Sequence, residues 1–287
     1  MRREIKIIAI IASIGVGFAS GWVIPTFILG EGQCPERSEC PECPECPECP
    51  VCPEEPVPLI DQIKLRGEII VGTSADFPPF EFYNDSDSSI VGFDIDLSQM
   101  IADEIGVNLT IIDISFDSLI TACNASNIDM IAAAMAYTES RAEILAPSLT
   151  YLTLNQVVIV RNDSIITIES LENLTSYTVG VQAGSIMQQE LEDLGMTVGV
   201  DLIVYLSAES LIQDLVAGAI DAAYIGESIF TVYNEIYNLK IIYSIPRESL
   251  VLWCKYGEPE LLYVINKVIF EAYQTGEIYD LIETWFS

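Results

Sequence analysis

The chain has 287 residues, 43 acids against 12 bases, a net charge of −31 and no histidine. Phosphate binding needs a basic face, so nucleic acid and anionic membrane surfaces are poor partners. Without histidine, Ser-His-Asp hydrolysis, Cys-His proteolysis and His-ligated zinc are excluded, and only carboxylates, lysine or tyrosine remain for acid–base work.

Residues 1–6 carry Arg2, Arg3 and Lys6, and residues 7–29 are uncharged throughout. A helix of that length rises roughly 35 Å, enough to span a bilayer. The positive-inside rule makes 1–6 a cytoplasmic n-region and puts everything after 29 outside the cell. A cleaved signal peptide is the competing reading; the length of the apolar stretch favours an uncleaved anchor. Glu31, Gly32 and Gln33 before Cys34 match the small-residue lipobox of lipoproteins poorly.

Residues 30–58 are rich in Cys, Pro and Glu, and Cys40, Cys43, Cys46, Cys49 and Cys52 recur at every third position. Interleaved proline favours polyproline II, whose three residues per turn line the thiols along one edge. A stiff spacer, a disulfide-linked stalk and a metal or iron–sulfur site are the three readings of this pattern. The prolines and the lack of a surrounding fold favour the spacer, so no metal or cofactor is assigned. Cys123 and Cys254 lie in apolar stretches and read as buried small residues. Five N-x-[ST] triplets, beginning at Asn84, Asn108, Asn124, Asn162 and Asn173, fit glycosylation outside the cell.

After the stalk, residues 68–73 read as a strand, and Phe77-Pro78-Pro79-Phe80 forces the chain out of the sheet. Asp94 is placed to cap a helix whose apolar stripe is Leu97, Met100, Ile101 and Ile105 and which Gly106 ends. A strand follows over 109–114, and Asp117 or Ser118 opens a helix through Leu119, Ile120 and Cys123. Residues 129–136 read as a buried parallel strand, and Thr138 caps the helix that carries Arg141. The pattern repeats with strands over 177–182, 201–206 and 220–225. Its helices open at Gly184-Ser185, Ser207 and Ser228, and residues 239–245 close the unit. An apolar strand from Leu250 and helices to Trp285-Phe286 complete the chain. Two βαβαβ units with right-handed crossovers predict two α/β lobes. Ligands bind beyond the carboxyl ends of such strands, which gathers residues 74–77, 134–141, 182–186 and 226–227 around one cleft.

The run from Ile69 to Arg141, with GTSADFPPFEF, VGFDIDLSQMIADEIG and NIDMIAAAMAYTESR, resembles the extracytoplasmic solute-binding proteins of family 3, which bind polar amino acids for ABC importers. The resemblance covers roughly residues 60–287. It implies an α/β, two-lobed, periplasmic-binding-protein-like (type II) fold with a hinge, preceded here by a transmembrane helix and the stalk. Lobe 1 is expected over 59–151 and 246–287 and lobe 2 over 152–245, with two strands crossing between them. The implied partners are a small-molecule amino acid and an ABC transporter permease, with the N-terminal helix in the membrane and no nucleic acid.

By the same resemblance Arg141 clamps an α-carboxylate with its planar fork; the bland alternative is a surface arginine at a helix start, opposed by the helix dipole. Phe77 and Phe116 match positions where aromatic rings sandwich the ligand, although either suits a plain core. Gly184, Ser185 and Ile186 match a loop that meets the carboxylate at a helix N-terminus, and Ala134 and Gln182 belong to the same cleft segments. Three positions depart from the family pattern. Ala136 stands where Ser or Thr is usual, Gly226 where an aspartate holds the α-ammonium, and Ser74 where an aspartate is common. Asp76 and Glu227 lie beside the last two and lean towards a cationic side chain. The carboxylate half of the site is present and the ammonium half altered. A binding protein rather than an enzyme is expected. The rivals are a cyclohexadienyl-dehydratase-like enzyme, needing a cleft carboxylate such as Glu227 or Asp76 with a raised pKa, and a ligand-free cell-surface or signalling protein.

Overall fold

The computed structural model describes residues 57–286. The apolar stretch 7–29 and nearly all of the stalk lie outside the described residues. Among the described residues no helix is long and apolar enough to cross a membrane, and no three His, Cys, Asp or Glu converge to hold a metal.

The chain enters through helix α1 (Leu59–Arg66), which buries Ile60 and Ile63. Strand β1 (Glu68–Thr73) follows, then a small antiparallel sheet of β2 (Asp76–Phe77), β3 (Glu81–Tyr83) and β4 (Ile90–Val91) around a cis Pro78–Pro79 bond. Helix α2 (Phe93–Ile105), β5 (Asn108–Asp113), a 3-10 turn (Phe116–Ser118), α3 (Leu119–Asn124), β6 (Met130–Ile131) and the one-turn α4 (Glu139–Ala142) complete the first unit. Strand β7 runs over Leu145–Arg161. The second unit consists of a 3-10 turn (Leu171–Ser176), β8 (Val179–Gln182), α5 (Ile186–Asp193), β9 (Leu202–Tyr205), α6 (Ala208–Ala217), β10 (Ala222–Gly226) and α7 (Glu227–Asn234). Strand β11 (Leu239–Lys255) and helices α8 (Pro259–Thr275) and α9 (Glu277–Phe286) end the chain.

The other eight strands form one sheet in the order β5-β1-β6-β11-β7-β10-β8-β9. Three parallel strands stand at each end, and the antiparallel pair β7 and β11, each 17 residues long, stands between them. Strands of that length reach roughly 56 Å at about 3.3 Å per residue, so both belong to both halves of the sheet. The register of this pair shifts between Ile245 and Glu248 and again around Val251. The sequence showed this strand as two pieces, 239–245 and the run from Leu250, because Pro246 and the charges after it interrupt the apolar pattern.

Period-two alternation packs both faces. In β7, Val157 and Ile159 enter one cluster while Val158 and Val160 enter another. In β11, Leu250, Leu252 and Cys254 face α2, α8 and α9, whereas Val251 and Trp253 face α3. Burial pushes the Cys123 and Cys254 thiols up to about 12. A thiol reagent is therefore expected to label neither cysteine of a folded 58–287 fragment, and both on denaturation, because the thiolate is the reactive form; mass spectrometry at pH 8 checks this.

Asp94 does not cap α2. Gly92 is the N-cap, and the Phe93 and Asp94 N–H groups donate to the carbonyls of Pro79 and Phe80 at 3.0 Å each. A Cβ at Gly92 would lie 2.1 Å from the Phe80 oxygen, so only glycine lets the loop supply these caps. With the cap made by backbone, the Asp94 carboxylate turns into the core, where Oδ2 accepts from Ala134 N at 2.7 Å and Tyr151 Oη at 2.9 Å. The third strand is also shorter than expected. Ala134 takes a φ of 43° and leaves the sheet, and the chain rejoins it at a bridge between Ala136 and Leu250.

Candidate functional site

The carboxyl ends of β1, β6, β8 and β10 converge on one cavity between the two halves of the sheet. Its walls include Phe77, Phe116, Ala134, Ala136, Arg141, Gln182, Ser185, Ile186 and Gly226, nine of the thirteen residues expected there. Phe77 packs against apolar clusters of both halves, and so does Ile186.

Thr138 caps α4 as expected, its Oγ1 accepting from Arg141 N at 3.1 Å. The cap aims the Arg141 side chain into the cleft, where it is only 7% exposed. Nη1 donates to Ala136 O at 2.7 Å and Nη2 to Gly184 O at 2.9 Å, across the cleft. The guanidinium carbon sits 5.6 Å from the Phe116 ring centroid, within cation–π range. Opposite, Ser185 caps α5, its Oγ accepting from Gln188 N at 3.2 Å. That turn therefore presents a helix N-terminus to the cavity.

The other four expected residues sit behind or beside the cavity. Gly184 lines an adjoining depression with Thr138 and Gln188. Ser74 is buried and donates from Oγ to Asp76 Oδ1 at 2.9 Å. Asp76 Oδ2 accepts from Ala208 N at 2.8 Å, at the start of α6, and from Gln182 Nε2 at 3.4 Å. Glu227 Oε2 accepts from Asn155 Nδ2 at 2.7 Å. Neither acid forms part of the cavity wall. Burial raises Asp76 above its ordinary value.

The wall also contains Ala133, Leu154, Met187, Ala208, Leu211, Tyr224 and Ile225, which the sequence reading missed. Tyr224 and Ile225 end β10 just before Gly226, so the strand-end rule reaches them if applied two residues earlier. Ala208 and Leu211 occupy the first turn of the Ser207-capped helix. Leu154 carries no local signal, because only the β7–β11 pairing brings it to the cleft. The Tyr224 hydroxyl meets Gln156 Oε1 and Glu190 Oε2 just behind the wall.

Below the first wall lies a buried acidic cluster that the sequence did not reveal. Burial raises Asp94 to about 7. Glu81 is fully buried, with neither carboxylate oxygen hydrogen-bonded among the described residues, and burial with neighbouring Asp94 and Asp76 pushes it well above its usual range. The folded state holds these protons while the unfolded chain has already released them. Stability from the pair is therefore greatest near pH 4 and falls as pH rises towards 7, where Asp94 ionises in the fold as well. Thermal melts should drop by several degrees between pH 4.5 and 7.5, and Asp94→Asn should flatten that slope. A flat wild-type profile would contradict the proton count.

Comparison with known proteins gives a consistent result. The family model for bacterial extracellular solute-binding proteins, family 3, matches residues 69–287. The arginine-binding extracellular protein ArtP of Bacillus subtilis is 31% identical over 224 residues, covering 77% of this chain and 86% of that protein. The structure of holo ArgBP from T. maritima aligns with a TM-score of 0.70 at 34% identity, over 79% of this chain and 99% of its own. The ancestral amino acid-binding protein AncCDT-1, a precursor of cyclohexadienyl dehydratase, aligns at 0.73 and 28% identity, over 80% and 100%.

Proposed function

Because the chain belongs to the bacterial extracellular solute-binding proteins of family 3, we propose that it captures an amino acid or a similar small carboxylate in the cleft between its two lobes and delivers it to the permease of an ABC importer. The observation that carries the reading is Arg141, a buried guanidinium facing a capped helix N-terminus across a largely apolar cavity. A planar fork in a desolvated cleft is suited to a carboxylate. Lobe 1 comprises 59–151 and 246–287, lobe 2 comprises 152–245, and β7 with β11 is the hinge about which they close. Residues 7–29 tether the receptor to the outer face of the membrane, and the stalk of 30–58 holds it off the surface. Asn108, Asn124, Asn162 and Asn173 are exposed and Asn84 is half-buried, which suits glycosylation on that face. Capture needs no chemical step. The two carboxylates that a dehydratase would call on, Asp76 and Glu227, are both engaged in hydrogen bonds, Asp76 with Ser74, Ala208 and Gln182 and Glu227 with Asn155, and neither lines the wall.

The test is binding of a 58–287 fragment, which contains all four apolar clusters, to the twenty amino acids and a panel of small carboxylates by thermal shift and then calorimetry. Micromolar or tighter binding of one of them is expected. A folded fragment that no carboxylate stabilises would remove the assignment.

A further inference from the structure

We propose that Asp94 is a positioning residue of the solute cleft: its buried carboxylate fixes the turn at Ala134, and through it the Arg141 guanidinium, more firmly when ionised than when protonated, so that solute is held more tightly as pH rises through neutrality. This rests on the reading of the cleft as a solute site and deepens it. A chain of hydrogen bonds runs outward from the core to the arginine. Ala134 lines the wall with a φ of 43°, a conformation that alanine adopts only under constraint. Its N–H donates to Asp94 Oδ2 at 2.7 Å, 40 residues earlier in the chain. Two residues on, Ala136 also lines the wall, and its carbonyl accepts from Arg141 Nη1 at 2.7 Å. Asp94 thus holds the turn that holds the guanidinium. The same Oδ2 accepts from Tyr151 Oη at 2.9 Å. Tyr151 belongs to β7, and its ring stacks on Phe93 with centroids 5.9 Å apart. One carboxylate oxygen therefore ties the wall to the long strand shared by both halves.

This bond responds to protons. Asp94 is fully buried, and its Oδ1 has no hydrogen-bond partner among the described residues, so the neutral acid carries its proton on Oδ1 while Oδ2 keeps both donors. Ionised, Oδ2 makes charge-assisted bonds roughly twice as strong. Burial brings the change of state to about 7. The titratable groups around Asp94 come from several elements. The small sheet contributes Glu81, itself buried and without a hydrogen bond, with Asp76 beside it. Strand β7 contributes Tyr151, and α8 contributes Tyr273, whose Oη donates to Tyr151 O at 2.7 Å. On α2 itself, Asp96 accepts from Trp285 Nε1 at 2.8 Å, and Glu104 pairs with Lys267 at the far end. The faces of β1, β5, α8 and α9 packed on α2 are otherwise apolar. Ionising Asp94 in this setting costs desolvation, but the folded protein meets that cost with or without solute. Stability and affinity therefore run in opposite directions with pH, which a merely structural Asp94 would not produce.

The experiment uses the full chain in detergent, with nitrogen-15-labelled alanine, from about pH 5.5 to about pH 8.5. The Ala134 amide resonance, assigned by its loss in Ala134→Gly, is expected to move downfield with a midpoint near pH 7 and to stay still in Asp94→Asn. In parallel, the twenty amino acids, pooled at equal concentration, are titrated against each protein by thermal shift. The half-saturating concentration of the pool is expected to fall about fivefold to tenfold over that range in the wild type and to stay level in Asp94→Asn; any titration of the probes themselves is common to both. Tyr151→Phe removes the second donor to Oδ2, a bond that favours the ionised form, so both midpoints should move to higher pH. A resonance that ignores pH, or an affinity that stays level while the resonance titrates, would overturn the inference and leave the solute reading standing. No stabilisation by the pool at any pH would overturn that reading and this inference with it. Should Asp94→Asn fail to fold, unmoved midpoints in Tyr151→Phe would overturn the inference on their own.

Discussion

Arg141→Ala is expected to weaken solute binding by about 100-fold or more while the protein stays folded. The bound carboxylate would lose a charge-assisted, two-pronged partner in a desolvated cleft, a loss of about 3 kcal/mol. Arg141 is also one of the side chains that bridge the two halves, through its 2.9 Å bond to Gly184 O. Closure loses that support at the same time. The arginine lies in the cleft and in none of the apolar clusters, so the melting temperature of the protein without solute should move little. Lysine at 141 keeps the charge but not the planar fork, and an intermediate loss of about tenfold is expected. Calorimetry on the two variants, beside melts without solute, separates these effects. Wild-type affinity in Arg141→Ala would place the carboxylate elsewhere.

Gly184→Ala is expected to cost about 10- to 100-fold in affinity by a different route. Gly184 adopts a φ of 73°, and a Cβ there would lie 2.8 Å from Asp117 Cα and 3.0 Å from its Cβ. The near atom is backbone in the opposite half, so no side-chain rotation relieves the contact. The left-handed conformation alone costs an alanine about 1 kcal/mol. That part is paid whether the cleft is open or closed and shows as reduced stability. The collision arises only on closure and shows as lost affinity, of about 1–3 kcal/mol by analogy with overpacked sites. Small-angle scattering should show that solute no longer compacts the variant as it does the wild type. If saturating solute produces the same compaction and affinity in both, the close approach of Gly184 to Asp117 is not a feature of the bound state.

Much of this architecture was legible because local and global signals agree. Thr138, Ser185 and Ser207 each cap the helix that the sequence assigned to them. The strand ends led to eight of the wall residues through a single rule about parallel strands, and the family resemblance supplied the ninth, Phe116. What was hidden depends on long-range pairing. Asp94 reads as a cap because a short acid before an apolar stripe normally is one; the loop at Pro79 and Phe80 supplies the cap instead, and nothing within ten residues of Asp94 shows that Tyr151 awaits it. Asp76 and Glu227 look like ligand contacts by position. Their hydrogen bonds to Ala208 and Asn155 come from partners 132 and 72 residues away. Leu154 enters the cleft only because β7 is a single uninterrupted strand across both halves.

The contacts that cross the cleft have a kinetic consequence. Arg141 reaches Gly184, Asp76 reaches the start of α6, and Gly184 lies against Asp117. A captured solute must wait for these to part before it leaves, so its dissociation can be no faster than the opening of the cleft. Loosening the contact of Asp76 with α6 would thus quicken release while Arg141 still selects the carboxylate, so the receptor's exchange rate and its selectivity are set by different residues.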